Sequence, residues 1–326
     1  MATAIQIKEL LKTHSDGNDQ RFYAVAMQVA AAEAKKGHQR LAKEIRDLVD
    51  HAKIQKSNAS ISKVVHVATP RGEAAELLES IQDNRKLSDL ILNHSLSERI
   101  SRIIGEQQNI SRIKASGLKP RQRLLFTGPP GCGKTFTASA LANELGIPLF
   151  VIRLDSLITR YLGESLSKLR LIFDAINSSK AVYLFDEFDS IGYTREFEND
   201  VGEMRRILNG FLMNIEKLTS ESIVIAATNY GEKLDKALYR RFDDLIEFGL
   251  PGDEEVWKTI DQLLKGIRTS KLSQDKIVQA AKGLSYAEIT RACEEAIKDM
   301  IISNKKQINS TMLLNAVTER RLFSNH

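Results

Sequence analysis

Gly128-Pro129-Pro130-Gly131-Cys132-Gly133-Lys134-Thr135 is the stretch of sequence that decides the fold of this chain. A short apolar run from Arg123 to Thr127 precedes it, and residues 136–145 follow with the spacing of a helix that ends at Gly146. A strand, a glycine-rich turn and a helix in this order form the context of a phosphate-binding loop. The stretch therefore predicts a phosphate cradle between a buried strand and a helix.

The residue types of this loop explain why it would bind phosphate. Its glycines permit backbone angles that side chains exclude, so successive N–H groups can face one anion at a helix N-terminus. Lys134 supplies a positive charge to the outer phosphates, and the Thr135 hydroxyl is a suitable hard oxygen ligand for Mg²⁺. A chance glycine-rich turn is the alternative, and the strand and helix on either side argue against it. The expected nucleotide-binding residues are Gly128, Pro129, Pro130, Gly131, Cys132, Gly133, Lys134, Thr135 and Phe136.

Composition places the chain among ordinary globular proteins. It has 326 residues, enough for two or three domains, of which 42% are hydrophobic and 27% charged. No apolar run has the length of a membrane span, and the N-terminal residues lack the apolar core of a signal peptide, so we expect a cytoplasmic location. Two cysteines suggest no disulfide framework, and the six histidines all lie outside the segment from the loop to the last predicted strand. Zinc binding and histidine catalysis are therefore not expected.

Boundary signals divide the chain into four segments. Residues 1–65 contain two helical apolar stripes typical of a small bundle, which is either a packing or oligomerisation element or an adaptor for a partner. Eleven Lys and Arg against seven Asp and Glu put most of the net charge of +5 in this segment. Residues 66–97 form a linker and bracing helices, 98–251 an α/β core, and 252–326 a helical lid.

The predicted fold class is α/β. Apolar runs at residues 149–154, 181–185, 223–227 and 245–250 alternate with helical stretches, which indicates a parallel sheet with helices on both faces. Helical patterns also fill residues 73–118. After Pro251 the signals are helical only, and they include a capping box of Ser285 and Glu288 before a long helix.

Polar residues follow the predicted strands at the edge where a ligand would bind. Asp186 is placed to hold Mg²⁺ through water, and Glu187 to orient and polarise the attacking water. Asn229 would hydrogen-bond the terminal phosphate and that water, although a turn-forming asparagine is the plain alternative. Arg240 and Arg241 suit the negative charge of phosphoryl transfer if a neighbouring subunit supplies them, but adjacent arginines are also common on solvated faces.

The ordered set GPPGCGKT, LFDEFD, ATN and RRFDD resembles the AAA family of ATPases within the AAA+ superfamily, over roughly residues 98–305. The resemblance implies ATP and Mg²⁺ as cofactors and a homo-hexameric ring with each active site at a subunit boundary. Arg240 and Arg241 would then act in trans. Many members separate these arginines by Pro-Gly, and their adjacency here leaves open which one contacts the phosphate. The segment Gly283 to Glu288 is similar to the lid motif of the family, with Ala287 where other clades carry an arginine.

The resemblance also implies a substrate-gripping pore loop at Tyr161, Leu162 and Gly163. Tyr161 would offer a rigid amphipathic contact to an extended polypeptide, and Leu162 an apolar one. The alternative is that Tyr161 belongs to the core.

These features together favour a Mg²⁺-ATP-dependent protein remodelling ATPase that threads polypeptide through the ring. Residues 1–65 would recruit a partner protease, an adaptor or the substrate, because the layout resembles prokaryotic AAA ATPases encoded beside subtilisin-type serine proteases. A nucleic-acid-associated ATPase, such as a loader or a DNA maintenance factor, is the alternative, supported only by the basic N-terminal segment. A third possibility is a nucleotide-gated scaffold without enzymatic activity.

Overall fold

The computed structural model divides the chain into two compact units, Met1–Val64 and Val65–His326. It describes residues 76–81, 85–152, 154, 164–192, 201–234 and 236–324 of the second unit, and a few positions between 25 and 43 of the first. Val25, Ala26, Val29 and Ala30 of the first unit are helical and buried. Most of the two predicted apolar stripes lies outside the described residues.

A six-stranded sheet forms the centre of the second unit, with the strand order β1-β3-β4-β5-β2-β6. β1 pairs antiparallel with β3, and every other neighbouring pair is parallel, which confirms the predicted α/β fold with a mostly parallel sheet. The strands are β1 (Leu78–Ile81), β2 (Arg123–Thr127), β3 (Leu149–Ile152), β4 (Val182–Phe185), β5 (Ile223–Thr228) and β6 (Asp244–Glu247).

Helices cover both faces of the sheet because alternate strand residues point to opposite sides. On one face, Tyr183, Phe185 and Val224 pack with residues of α4 and α6. On the other, Leu124 and Ile225 pack with residues of α1 and α3. The helices of this core are α1 (His94–Gln108), α2 (Ile110–Ala115), α3 (Lys134–Leu145), α4 (Glu164–Ser178), α5 (Asp189–Gly192), α6 (Val201–Glu216) and α7 (Lys236–Tyr239).

The helical prediction for residues 73–118 is wrong at the first strand. Residues 78–81 form β1, in which Leu78 is buried while Glu79 and Ser80 are exposed. The leucines and glutamates of this segment favour a helix locally. Pairing with β3, from Leu78 opposite Ile152 to Ile81 opposite Leu149, overrides that preference.

The last strand ends three residues earlier than predicted. β6 pairs with β2 as far as Glu247 opposite Thr127, after which β2 turns into the glycine loop and offers no further partner. Leu250 is accordingly exposed.

The C-terminal helices form a hydrophobic core cluster of their own. Helix α10 (Tyr286–Ile302) begins with the predicted capping box, in which Ser285 and Glu288 each accept a hydrogen bond from the other's backbone amide. The lid helices are α8 (Asp253–Leu263), α9 (Gln274–Ala281), α10 (Tyr286–Ile302) and α11 (Ser310–Ser324). Among the helices that the structure describes, none is long and apolar enough to cross a membrane.

Candidate active site

The glycine loop leaves β2 at a position that only glycine can occupy. Gly128 has a φ of +140°, and a Cβ there would lie 2.0 Å from the carbonyl oxygen of Phe248. The amide of Phe248 in turn donates to the carbonyl of Thr127 at 2.7 Å. Phe248, the residue that follows β6, thus fixes where the loop begins.

Lys134 is the first residue of helix α3 and is almost buried, with 7% of its surface exposed. Its Nζ donates to the carbonyls of Gly128 at 2.6 Å and Pro129 at 3.0 Å, and to Oδ1 of Asn229 at 2.8 Å. Burial lowers the pKa of Lys134, and the nearby acidic groups, among them Asp186, oppose this shift. The amine is therefore held at the loop by neutral acceptors, and it forms no direct ion pair with a carboxylate of the described residues.

Thr135, in the first turn of α3, and Asp186, directly after β4, place two side-chain oxygens next to each other. Oγ1 of Thr135 donates to Oδ2 of Asp186 at 2.8 Å, and the amide of Glu187 donates to Oδ1 of Asp186 at 2.9 Å. Hydroxyl and carboxylate oxygens are the ligands that Mg²⁺ prefers beside substrate phosphates and water, so this pair fits that ion. In the described part of the chain, no group of three or more His, Cys, Asp or Glu residues is arranged to hold a metal.

Glu187 has an unusual backbone for a residue with a side chain. Its φ is +50°, in the left-handed region, and it is exposed at the turn that leaves β4. Strained residues of this kind cluster at functional sites. Glu187 and Asp186 both line the cavity described below.

A cavity of about 620 Å³ contains most of the predicted site residues. Residues 130–136 line it together with Asp186, Glu187 and Asn229, and its size is that of a nucleotide-sized ligand pocket. Other lining residues were not predicted from the sequence as site residues: Asp89, Leu90, Ile91, Leu92, Thr259, Gln262, Leu263, Tyr286, Ala287 and Thr290. These belong to the segment before α1 and to the lid, where Tyr286 and Ala287 are part of the segment Gly283 to Glu288.

The lid closes directly onto the glycine loop. The amide of Ala287 donates to the carbonyl of Gly131 at 3.2 Å. A Cβ at Gly131 would lie 2.7 Å from Oγ of Ser285 and 2.9 Å from Cβ of Ala287. Burial raises the pKa of Tyr286, at the start of the same helix, to about 12, so its hydroxyl stays neutral. Loop and lid therefore form one continuous wall of the cavity.

The two predicted arginines do not line this cavity. Arg240 is exposed and has no ion pair among the described residues, whereas Arg241 forms an ion pair with Glu216 of α6. The pore-loop residues Tyr161, Leu162 and Gly163 lie outside the described residues.

A mostly parallel sheet with a glycine loop after β2, a buried loop lysine and carboxylates at the end of β4 defines a P-loop nucleoside triphosphatase. Residues 124–250 match the family model described as "ATPase family associated with various cellular activities (AAA)". An AAA family ATPase of Sinorhizobium fredii, itself described as uncharacterized, is 34% identical over 308 residues, which cover 94% of this chain and 92% of that protein. The chain therefore belongs to the AAA family, and it is an ATPase.

Two further relatives share the ATPase region. A putative 26S proteasome regulatory subunit homolog of Methanothermobacter marburgensis is 32% identical over 208 residues, or 62% of this chain and 56% of the relative. An ATP-dependent zinc metalloprotease FtsH of Mycoplasmopsis synoviae is 32% identical over 237 residues, or 70% of this chain and 36% of the relative. The chain thus spans only part of these two proteins.

Proposed function

We propose that this protein is a Mg²⁺-ATP-dependent protein remodelling ATPase that works as a hexameric ring and threads polypeptide through a central pore. The main support for a ring is the position of two arginines. Arg240 and Arg241 lie outside the cavity of their own chain, and Arg240 is exposed. Arginines in this position could contact the nucleotide that is bound by a neighbouring subunit. Each active site would then be shared between two subunits.

The residues that line the cavity would have different roles in ATP hydrolysis. Glu187 orients the attacking water and accepts its proton, while Lys134 and Asn229 hold the outer phosphates. Thr135 and Asp186 would hold Mg²⁺, which when bound neutralises charge on the phosphates. Arginine from the next subunit stabilises the charge that spreads over the transferred group.

Protein is the proposed substrate because two groups of relatives are named for proteolysis, the proteasome regulatory subunit homologs and the FtsH metalloproteases. Tyr161, Leu162 and Gly163 would grip the polypeptide. Residues 1–65 would recruit a partner protease or an adaptor, 66–97 brace the core, 98–251 hydrolyse ATP and 252–326 close over the nucleotide. A cytoplasmic location completes this proposal.

Glu187→Gln tests the hydrolysis. This variant should bind ATP as the wild type does and lose hydrolysis by about 10² to 10⁴-fold, because the amide keeps the shape but accepts no proton. Undiminished turnover would remove Glu187 as the base.

Tyr161→Ala tests the threading. We expect it to keep ATP hydrolysis but to stop the ATP-dependent unfolding of a tagged fluorescent protein. Tyr230→Ala, which truncates an exposed tyrosine, should change neither. Unfolding that persists in Tyr161→Ala would contradict the pore loop. ATP hydrolysis that is stimulated by DNA, with binding that weakens steeply with salt, would favour the nucleic-acid alternative.

Mixing Arg240→Ala or Arg241→Ala with wild-type subunits tests the shared site. The defect should appear in the wild-type neighbours, and full activity of an isolated monomer would contradict the ring.

A further inference from the structure

Asp189 is the first residue of α5 and comes two positions after Glu187. Its Oδ1 accepts a hydrogen bond from the hydroxyl of Thr228 at 3.1 Å and another from the backbone amide of Asn229 at 3.3 Å. The amide of Phe188 also donates to the carbonyl of Ala227 at 2.8 Å. The turn after β4 is thus bonded to the end of β5, beyond the last ladder pair of these strands.

Asn229 is held from the other side by Lys134. Because an ammonium group only donates, its contact with Asn229 identifies the amide oxygen as the atom that faces the lysine. The two N–H groups of that amide remain for the cavity, which Asn229 lines. The backbone of Asn229 is therefore fixed by Asp189 and its side chain by Lys134.

We infer that Asp189 is a positioning residue for ATP hydrolysis. Asp189 accepts hydrogen bonds from the backbone amide of Asn229 and from the hydroxyl of Thr228. These bonds would set the position of the Asn229 side chain relative to the terminal phosphate and the attacking water. A carboxylate makes stronger hydrogen bonds than a neutral acceptor, which suits a group that must hold the end of a strand in place. The inference rests on the role proposed above for Asn229 and not on the ring or on the protein substrate.

A double-mutant cycle tests whether Asp189 acts through Asn229. Basal ATP hydrolysis by the full-length protein is measured at saturating Mg²⁺ for Asp189→Ala, Asn229→Ala and the double variant. Losing a donor to the phosphates should lower kcat of Asn229→Ala by about 10²-fold. Misplacing that donor should lower kcat of Asp189→Ala by about 10 to 10²-fold, with KM for ATP within about threefold of wild type. The double variant should hydrolyse ATP within about twofold of Asn229→Ala, because residues that act as a unit are not additive.

Two conservative variants separate hydrogen bonding from charge and fold. Asp189→Asn keeps the volume and an accepting oxygen, so it should recover most of kcat. Thr228→Val removes one of the two donors and leaves the Asn229 amide in place, so kcat should fall by no more than about threefold. If Asp189→Ala does not fold by circular dichroism, the cycle is run with Asp189→Ser, whose hydroxyl is one atom too short to make both bonds.

Several results would overturn the inference. Asp189→Ala could lower kcat by the same factor with and without Asn229, which would show an independent role. It could raise KM and leave kcat unchanged, which would point to ATP binding through the charge near Lys134. Normal kcat in Asn229→Ala would end both this inference and the proposed role of Asn229, whereas low kcat there with normal kcat in Asp189→Ala would end the inference alone.

Discussion

Replacing Gly131 by alanine should force the helical lid away from the glycine loop. The new Cβ would lie 2.9 Å from Cβ of Ala287 and 2.7 Å from Oγ of Ser285. The serine oxygen can rotate aside only by giving up its capping bond from the Glu288 amide, and Cβ of Ala287 moves only if helix α10 moves. That shift would also stretch the bond from the Ala287 amide to the Gly131 carbonyl.

Gly117→Ala is a matched control for this substitution. Gly117 has a φ of +75° and Gly131 of +74°, yet a Cβ at Gly117 would have no neighbour within 4 Å. Both variants should lose about 1 to 2 kcal/mol of stability through the left-handed backbone. Only Gly131→Ala should lose a further 1 to 3 kcal/mol, roughly, through overpacking against the lid.

The assay is the dissociation constant of a fluorescent ATP analogue, measured beside urea unfolding. Because loop and lid line the same cavity, we expect the overpacking to weaken nucleotide binding by about 5 to 150-fold in Gly131→Ala. Gly117→Ala should bind as the wild type does. Equal affinities for the two variants would refute the idea that this contact sets how the lid closes.

Three further predictions concern stability. Burial alone would raise the pKa of Asp243, but hydrogen bonds from the Arg123 side chain and two backbone amides lower it. The ionised Asp243 therefore stabilises the fold above about pH 4, and this contribution is lost as the pH falls through the lowered pKa. The urea midpoint of the wild type should therefore fall more steeply below that pH than that of Asp243→Asn, and parallel curves would contradict this. Phe211 has no exposed surface and its ring centre lies 4.7 Å from that of Phe188, so Phe211→Ala should lower the free energy of unfolding by about 3 to 5 kcal/mol. Phe323→Ala, at a side chain that is 73% exposed, should change it by no more than about 0.5 kcal/mol in the same urea titration. Ser285→Ala should lower the free energy of unfolding by about 1 kcal/mol through loss of the helix cap. Ser273→Ala should lower it by less, because the Ser273 side chain makes no cap bond. Equal losses in the two variants would argue against the capping box.

The central strands could be predicted from the sequence because they are buried on both faces and read as continuous apolar runs. The run from Arg123 to Thr127 coincides with β2. Where a strand stops depends on its neighbour, however, and the sequence of β6 does not show that its partner has already turned into the glycine loop. β1 was missed for the same reason: its pairing with β3 is a tertiary contact, and its own residues favour a helix.

The residues that we expect at the phosphates could be proposed from the sequence because phosphate chemistry needs particular residue types. Lys134, Thr135, Asp186 and Asn229 reach one cavity because the ends of parallel strands meet at one edge of the sheet. On the opposite side, from Asp89 to Leu92 and in the lid, only the segment Gly283 to Glu288 carries a motif that the sequence analysis could use. Asp189 is the last residue of the run LFDEFD, so the sequence indicates that it lies near the site. Its hydrogen bonds to the end of β5 are visible only in the fold.

The charge of the cavity explains why one chain would hold an incomplete site. Among the described residues that line it, Lys134 is the one basic side chain, while Asp89, Asp186 and Glu187 are acidic. A triphosphate adds several negative charges to this excess, and burial already disfavours the charged form of Lys134. We therefore expect binding and hydrolysis to draw on cations that these side chains do not supply. In the proposed ring, Mg²⁺ beside Thr135 and an arginine of the next subunit would be the two sources, and both would act where charge develops during phosphoryl transfer.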